Sequence, residues 1–152
     1  MAPERYSVCV DISAKIENWE KPSVIAVSNG HSRALVVSAE VKQAAVRLLS
    51  GSEPPQYTLM ALLAYLVIAP DIERLSSVIL DQDYSGDVAE RIIRRLLLEL
   101  LRRHRPKLKA SAVRMQKVAG SNADKLARAI YKGKLQANGE ITLEDIQGVL
   151  WA

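Results

Sequence analysis

Four acidic residues fall where an α/β fold could put them to use: Asp11, Glu40, Asp81 and Asp124. Asp11 follows the apolar run Tyr6 to Val10, and Asp81 follows the run Ser76 to Leu80; both runs read as strands. Glu40 begins a helical segment, and Asp124 lies in the first turn of another. If the two strands are parallel neighbours, Asp11 and Asp81 emerge side by side at their carboxyl ends, where ligands of open α/β sheets gather. Carboxylates so placed repel and raise one another's pKa unless a cation sits between them. Their hard oxygens suit Mg²⁺ or Mn²⁺. Two such ions ~4 Å apart can clamp an in-line phosphodiester displacement. Each acid alone has an ordinary structural role. Aspartate is a common turn former, an acid near a helix start is favoured by the dipole, and Asp124 stands at capping-box spacing from Ser121. It is their joint placement that points to metal chemistry.

The elements that must position them are legible from periodicity and breakers. After the first strand, Ser13 to Pro22 reads as a connection. Ser23 to Ser28 and Arg33 to Val37 are β-branched runs around Asn29-Gly30, the pair that best suits a tight hairpin. Ser38 caps a helix whose apolar residues recur from Val41 to Leu49. Thr58 is expected to cap a second helix, Leu59 to Ile68, apolar all round and therefore buried on several sides. Pro70 stops it. Asp87 opens the longest helix, to about His104, with an inner face from Ala89 to Leu101. Ala112 to Val118 alternates as a fifth strand. Ser121 caps a helix closed by Gly133, and Thr142 caps a last short helix to about Leu150. This order implies an α/β fold with a mixed five-stranded sheet flanked by helices, plus one inserted apolar helix. Without an internal repeat or low-complexity tract, residues 1–152 read as one domain, with a core over about 6–133 and a C-terminal extension over 134–152.

Composition narrows the function classes. Hydrophobic residues reach 49%, enough for a core without staples. Aromatics are only 5% and phenylalanine is absent, which argues against base stacking on an aromatic sheet face. Cys9 is the sole cysteine, so no internal disulfide can form, a pattern that favours a reducing compartment. In an apolar strand it reads as a small buried side chain rather than a nucleophile. The polar start, Met1 to Tyr6, lacks the features of a signal peptide, and the most apolar stretch, Leu59 to Ala69, is too short to span a bilayer. A cytoplasmic protein with no membrane partner is the expectation. The net charge of +4 permits a polyanionic partner.

Short motifs around the four acids resemble the ribonuclease H-like superfamily, over roughly residues 6–133. The segment Gly120-Ser121-Asn122-Ala123-Asp124-Lys125-Leu126-Ala127-Arg128-Ala129 is similar to the bacterial ribonuclease H segment in which Asn precedes an Asp followed by x-Leu-Ala-x-x-Ala. Leu80-Asp81-Gln82-Asp83-Tyr84 resembles the family's Thr-Asp-Ser-x-Tyr after strand four. Glu40-Val41-Lys42-Gln43-Ala44-Ala45 resembles the helix that bears its catalytic Glu, and Val10-Asp11 its first-strand Asp. The resemblance implies a Mg²⁺- or Mn²⁺-dependent nuclease with Asp11, Glu40, Asp81 and Asp124 as catalytic metal ligands. The substrate class it implies is a structured nucleic acid: RNA, an RNA–DNA hybrid or a DNA junction. The sequence departs from the family at three points. Ile12-Ser13 follows Asp11 where the family has Gly. Gln116, Lys117 and Val118 stand where it has a loop histidine. The helix Leu59 to Ile68 is an insertion. These departures suit a divergent branch, such as a resolvase or a mobile-element nuclease.

The longest helix carries Arg91, Arg94, Arg95 and Arg102 on its outer face, and the basic run continues through Arg103, Arg105, Lys107 and Lys109. Such charges are by default a solvated face, but Arg91, Arg94, Arg95 and Arg102, with Lys117, could also bind a phosphate backbone. Leu98 lies among the arginines as an apolar spot on that face, which is expected to mark a contact with a second copy of the chain. The rival to a nuclease is a non-catalytic nucleic-acid-binding or assembly module on the same fold. It is favoured by the missing glycine and histidine. A third reading is an unrelated α/β interaction protein in which these acids only cap helices.

Overall fold

In the computed structural model, residues 5–28, 32–49, 51, 53–81, 86–117 and 121–152 are described. The hairpin turn expected at Asn29-Gly30 lies outside them, as do Gln82, Asp83, Tyr84 and Gly120 of the family-like motifs. The fold is α/β, with a mixed sheet of six strands among the described residues. In chain order they are β1 (Tyr6–Ser13), β2 (Ser23–Ser28), β3 (Arg33–Val37), β4 (Leu75–Asp81), β5 (Val113–Gln116) and β6 (Gly139–Glu140). Across the sheet they run β5-β4-β1-β2-β3-β6. β2 is antiparallel to both its neighbours, while β1–β4, β4–β5 and β3–β6 pair in parallel. Five strands were expected. The sixth, β6, is two residues long and exists by pairing with the edge of β3, so the C-terminal extension completes the sheet.

Among the described residues five α-helices flank the sheet: α1 (Ala39–Leu48), α2 (Pro55–Ile68), α3 (Asp87–Arg102), α4 (Asn122–Tyr131) and α5 (Leu143–Leu150). Strand alternation divides the core in two. Val8, Val10, Ile25, Val27, Val78 and Leu80 pack with α1, α2, α3 and α5. On the other face Val24, Ala26 and Ala34 meet Ala123, Ala127 and Ile130 of α4, where small residues let the helix approach closely. With both faces covered, all six residues of β2 are buried.

The helix starts obey their caps. The Ser38 hydroxyl accepts from the Val41 amide, and that of Ser121 from the Asp124 amide. Thr142 and Asp145 form a capping box that opens α5. α2 departs from expectation: it begins at Pro55, a residue pre-set for the first helical turn, and Thr58 lies within it. It continues as a 3-10 segment, Ala69–Arg74. The whole run of 20 residues is long and apolar enough to cross a bilayer, so length does not exclude a span as the sequence reading had it. Its most apolar window is 56% buried inside the domain, where α2 packs against α3, α5 and β2.

Candidate functional site

The site begins with the parity of β1. Val8, Val10 and Ile12 point to the main core, so Cys9 and Asp11 point to the α4 face. Cys9 is half-buried there beside the α4 cluster. Asp11 does not end the strand as expected. It lies inside it, paired with Ala26 of β2, and is 4% exposed. On the other side Val10 pairs with Leu80 in parallel, so the next residues along the two strands are Asp11 and Asp81. α4 rises over this point, with Asp124 in its first turn and 9% exposed.

These three carboxylates meet. Asp11 hydrogen-bonds with both Asp81 and Asp124. Burial, those two bonds and the charge of Asp81 push the Asp11 carboxyl up to about 8, and the Ile12 amide, donating to Asp11 Oδ1 at 2.8 Å, works the other way. Asp124 also accepts a hydrogen bond from Arg128 Nε at 3.0 Å, one turn along α4. Capping alone therefore does not account for Asp124: its amide serves the cap, while its carboxylate faces Arg128 and Asp11. Among the described residues no three acidic, histidine or cysteine side chains form a ready-made metal-binding group. Burial and the two neighbouring carboxyls instead favour the protonated form of Asp11. An oxygen-only donor set fits Mg²⁺ or Mn²⁺ once that proton leaves.

A cleft of about 430 Å³ opens over the triad, lined also by Ser13, Ala14, Lys15, Asn18 and Arg128. Glu40 is not part of it. It sits exposed on α1, and it is not among the groups that act on Asp11. The structure thus brings together three of the four expected acids and leaves Glu40 outside. The side chain that α1 sends toward this region is Lys42, fully buried, whose ammonium donates to Asn18 O and Ser23 Oγ at 2.9 Å and to Ile16 O at 3.4 Å. Burial pushes Lys42 down to about 8, against the pull of Glu17. Ser23 passes the connection on to Ala14 O at 2.9 Å. Gln43 adds a bond to Trp19 O. The β1–β2 loop that carries Lys15 and Asn18 is therefore pinned to α1. Its sharp turn falls at Ala14, whose φ of 65° is left-handed.

Of the basic residues expected to face nucleic acid, Arg91 and Lys117 are exposed, and Lys117 follows directly on the carboxyl end of β5. The others are tied down. Arg94 Nε donates to Val113 O at 2.9 Å and Arg102 Nε to Leu108 O at 2.8 Å, while Arg95 pairs with Glu53. Leu98 is half-buried, packing against the main core and lining a surface cleft with Arg91, Arg94 and Arg95. The sequence reading missed Lys15, Asn18, Arg128 and Lys42. Of these only Arg128 carried a signal, its spacing of four from Asp124. In comparisons with known proteins, no family model, no curated protein and no solved structure matches the chain.

Proposed function

We propose that the chain is a Mg²⁺- or Mn²⁺-dependent nuclease of the ribonuclease H-like kind, acting on phosphodiester bonds of a structured nucleic acid. The contact of Asp11 with Asp81 and Asp124 at the carboxyl ends of adjacent parallel strands carries this reading. Three acids line one cleft with Arg128 and Lys15, and once Asp11 loses its proton their oxygens form a donor set that suits a divalent cation. Asp11, Asp81 and Asp124 would hold the ion. When bound, it supplies the positive charge that a phosphodiester displacement needs at the phosphate oxygens. Lys15 and Arg128, at the rim, offer charge to the flanking phosphates, and Asn18 a hydrogen bond. Asp11 must lose its proton before it can take a ligand's role, so occupancy is favoured toward alkaline pH.

The test is a melting curve alongside a cleavage assay. Millimolar Mn²⁺ should raise the melting temperature at about pH 8.5, because it binds only the native state. Asp11→Asn should abolish that rise together with metal-dependent cleavage of labelled RNA, hybrid and branched DNA. No shift and no cleavage by the wild type would end the reading. One observation favours the second reading, a non-catalytic module on the same fold: Glu40, the fourth acid, stands outside the cleft. In that case Mn²⁺ would still stabilise the protein while no substrate is cut.

A further inference from the structure

A second cleft, of about 350 Å³, lies near the amino ends of β1 and β4 and beside β5. Five basic side chains line it, Arg5, Arg105, Lys107, Lys109 and Arg114, and among the described residues no carboxylate does. The hydroxyl residues Ser76 and Ser111 line it as well. We infer that this cleft and the neighbouring β4–β5 surface form a track for the phosphate backbone of a nucleic-acid strand, leading toward the Asp11–Asp81–Asp124 cleft. The direction of the track rests on the nuclease reading; the binding of the strand does not.

Three observations carry it. First, the track and the triad share one face of the sheet. Val113 and Met115 point into the protein, so Arg114 and Gln116 point to the α4 side, and both are exposed. Helix α4 packs over β1 and β2, leaving Ile79 of β4 only half-buried. Second, the register sets the spacing. Arg114 pairs with Ile79 and Gln116 with Asp81, so Arg114 lies two residues before the triad row, about 7 Å at ~3.3 Å per residue. That is roughly two nucleotides of axial rise. Third, the basic linker is pre-set. Arg105 donates to the carbonyls of Ile72 and Leu75, Arg102 to that of Leu108, and the Leu108 amide closes a turn on Arg105 O. Lys107 and Lys109 are therefore held at the cleft before any ligand arrives, which lowers the ordering cost of binding. A lipid surface would want an apolar anchor beside the charges. The apolar residues here, Leu108 and Ala112, are buried.

The test is fluorescence anisotropy with labelled single-stranded and duplex 20-residue oligonucleotides in the presence of EDTA, where metal and cleavage play no part. Lys109→Ala/Arg114→Ala should weaken binding about tenfold and reduce the slope of log affinity against log salt by about 1.4–1.8, two phosphate contacts' worth. Arg47→Ala, exposed on α1, should leave both unchanged. An unaltered slope in the first variant, or an equal loss in the second, overturns the track. So does binding to phosphatidylserine vesicles without binding to oligonucleotides. Cleavage in Mn²⁺ separates this proposal from the nuclease reading. If Asp11→Asn abolishes cleavage while Lys109→Ala/Arg114→Ala leaves binding and cleavage intact, the track fails and the nuclease stands. If nothing is cleaved but binding follows the cleft residues, the track stands alone.

Discussion

Between the Ile12 amide and two other carboxyl groups, Asp11 keeps its proton to about pH 8, whereas an unfolded aspartate gives it up near 3.8. Across that window the folded chain binds more protons than the unfolded one, so stability falls as pH rises. The contribution is fully present below about pH 4 and is lost as pH climbs through about 8. The melting temperature should therefore decline from about pH 5 to about pH 9. Asp11→Asn should flatten the decline and raise the melting temperature at the alkaline end. A flat wild-type profile would show that the fold does not favour the protonated form of Asp11. Lys42 makes a different prediction. Its removal leaves Asn18 O and Ser23 Oγ without their donor in a buried place. Lys42→Met should cost about 2–3 kcal/mol, read from the denaturant midpoint, and should loosen the loop that carries Lys15. Neither residue announces its environment in the sequence. Asp11 looks like a terminator because an acid at the end of an apolar run usually meets water. It stays inside the strand because Asp81 and Asp124, remote in the chain, supply hydrogen bonds.

At the scale of elements, what could be read was what local chemistry determines. The caps Ser38, Ser121 and Thr142 work as their spacing implies, and the inner face of α3 is buried at Ala89, Ile93, Leu97, Leu100 and Leu101 as its period requires. What could not be read depends on partners. β6 is a Gly-Glu pair with no pattern of its own, and only the open edge of β3 makes it a strand. Glu40 shows how helix geometry overrides an attractive placement. Residues two apart on a helix are about 200° apart around its axis. Once Lys42 turns inward to the β1–β2 loop, Glu40 must turn away, which is where it is found, exposed. Leu98, at the edge of the inner face of α3, is half-buried for a related reason. α3 packs against both α2 and β5, so its buried sector is wider than a single stripe. β6 and α5 give the element-scale prediction. A chain ending at residue 133 lacks Ile141, Ile146 and Val149, which are buried in the main core. It should lose cooperative melting and precipitate; a soluble product melting like the full chain would show that 134–152 is an appendage after all.

Taken whole, the molecule is lopsided. Among the described residues four helices crowd one face of the sheet, while α4 covers part of the other. That imbalance leaves β4 and β5 free to border both the carboxylate cleft and the basic cleft. The order of chain and cover has a consequence for how the protein is made. α2 is apolar on every side and ends at Ile68, but α3, which shields it, is complete only at Arg102, and α5 only at Leu150. At ~5–20 residues per second the ribosome delivers α5 roughly 4–16 s after α2. For that interval the nascent chain displays a helical stretch with the length and hydropathy that membrane-insertion machinery and chaperones bind. A segment that ends as the centre of a core thus starts without its cover, and how soon the later helices arrive sets how long it stays so.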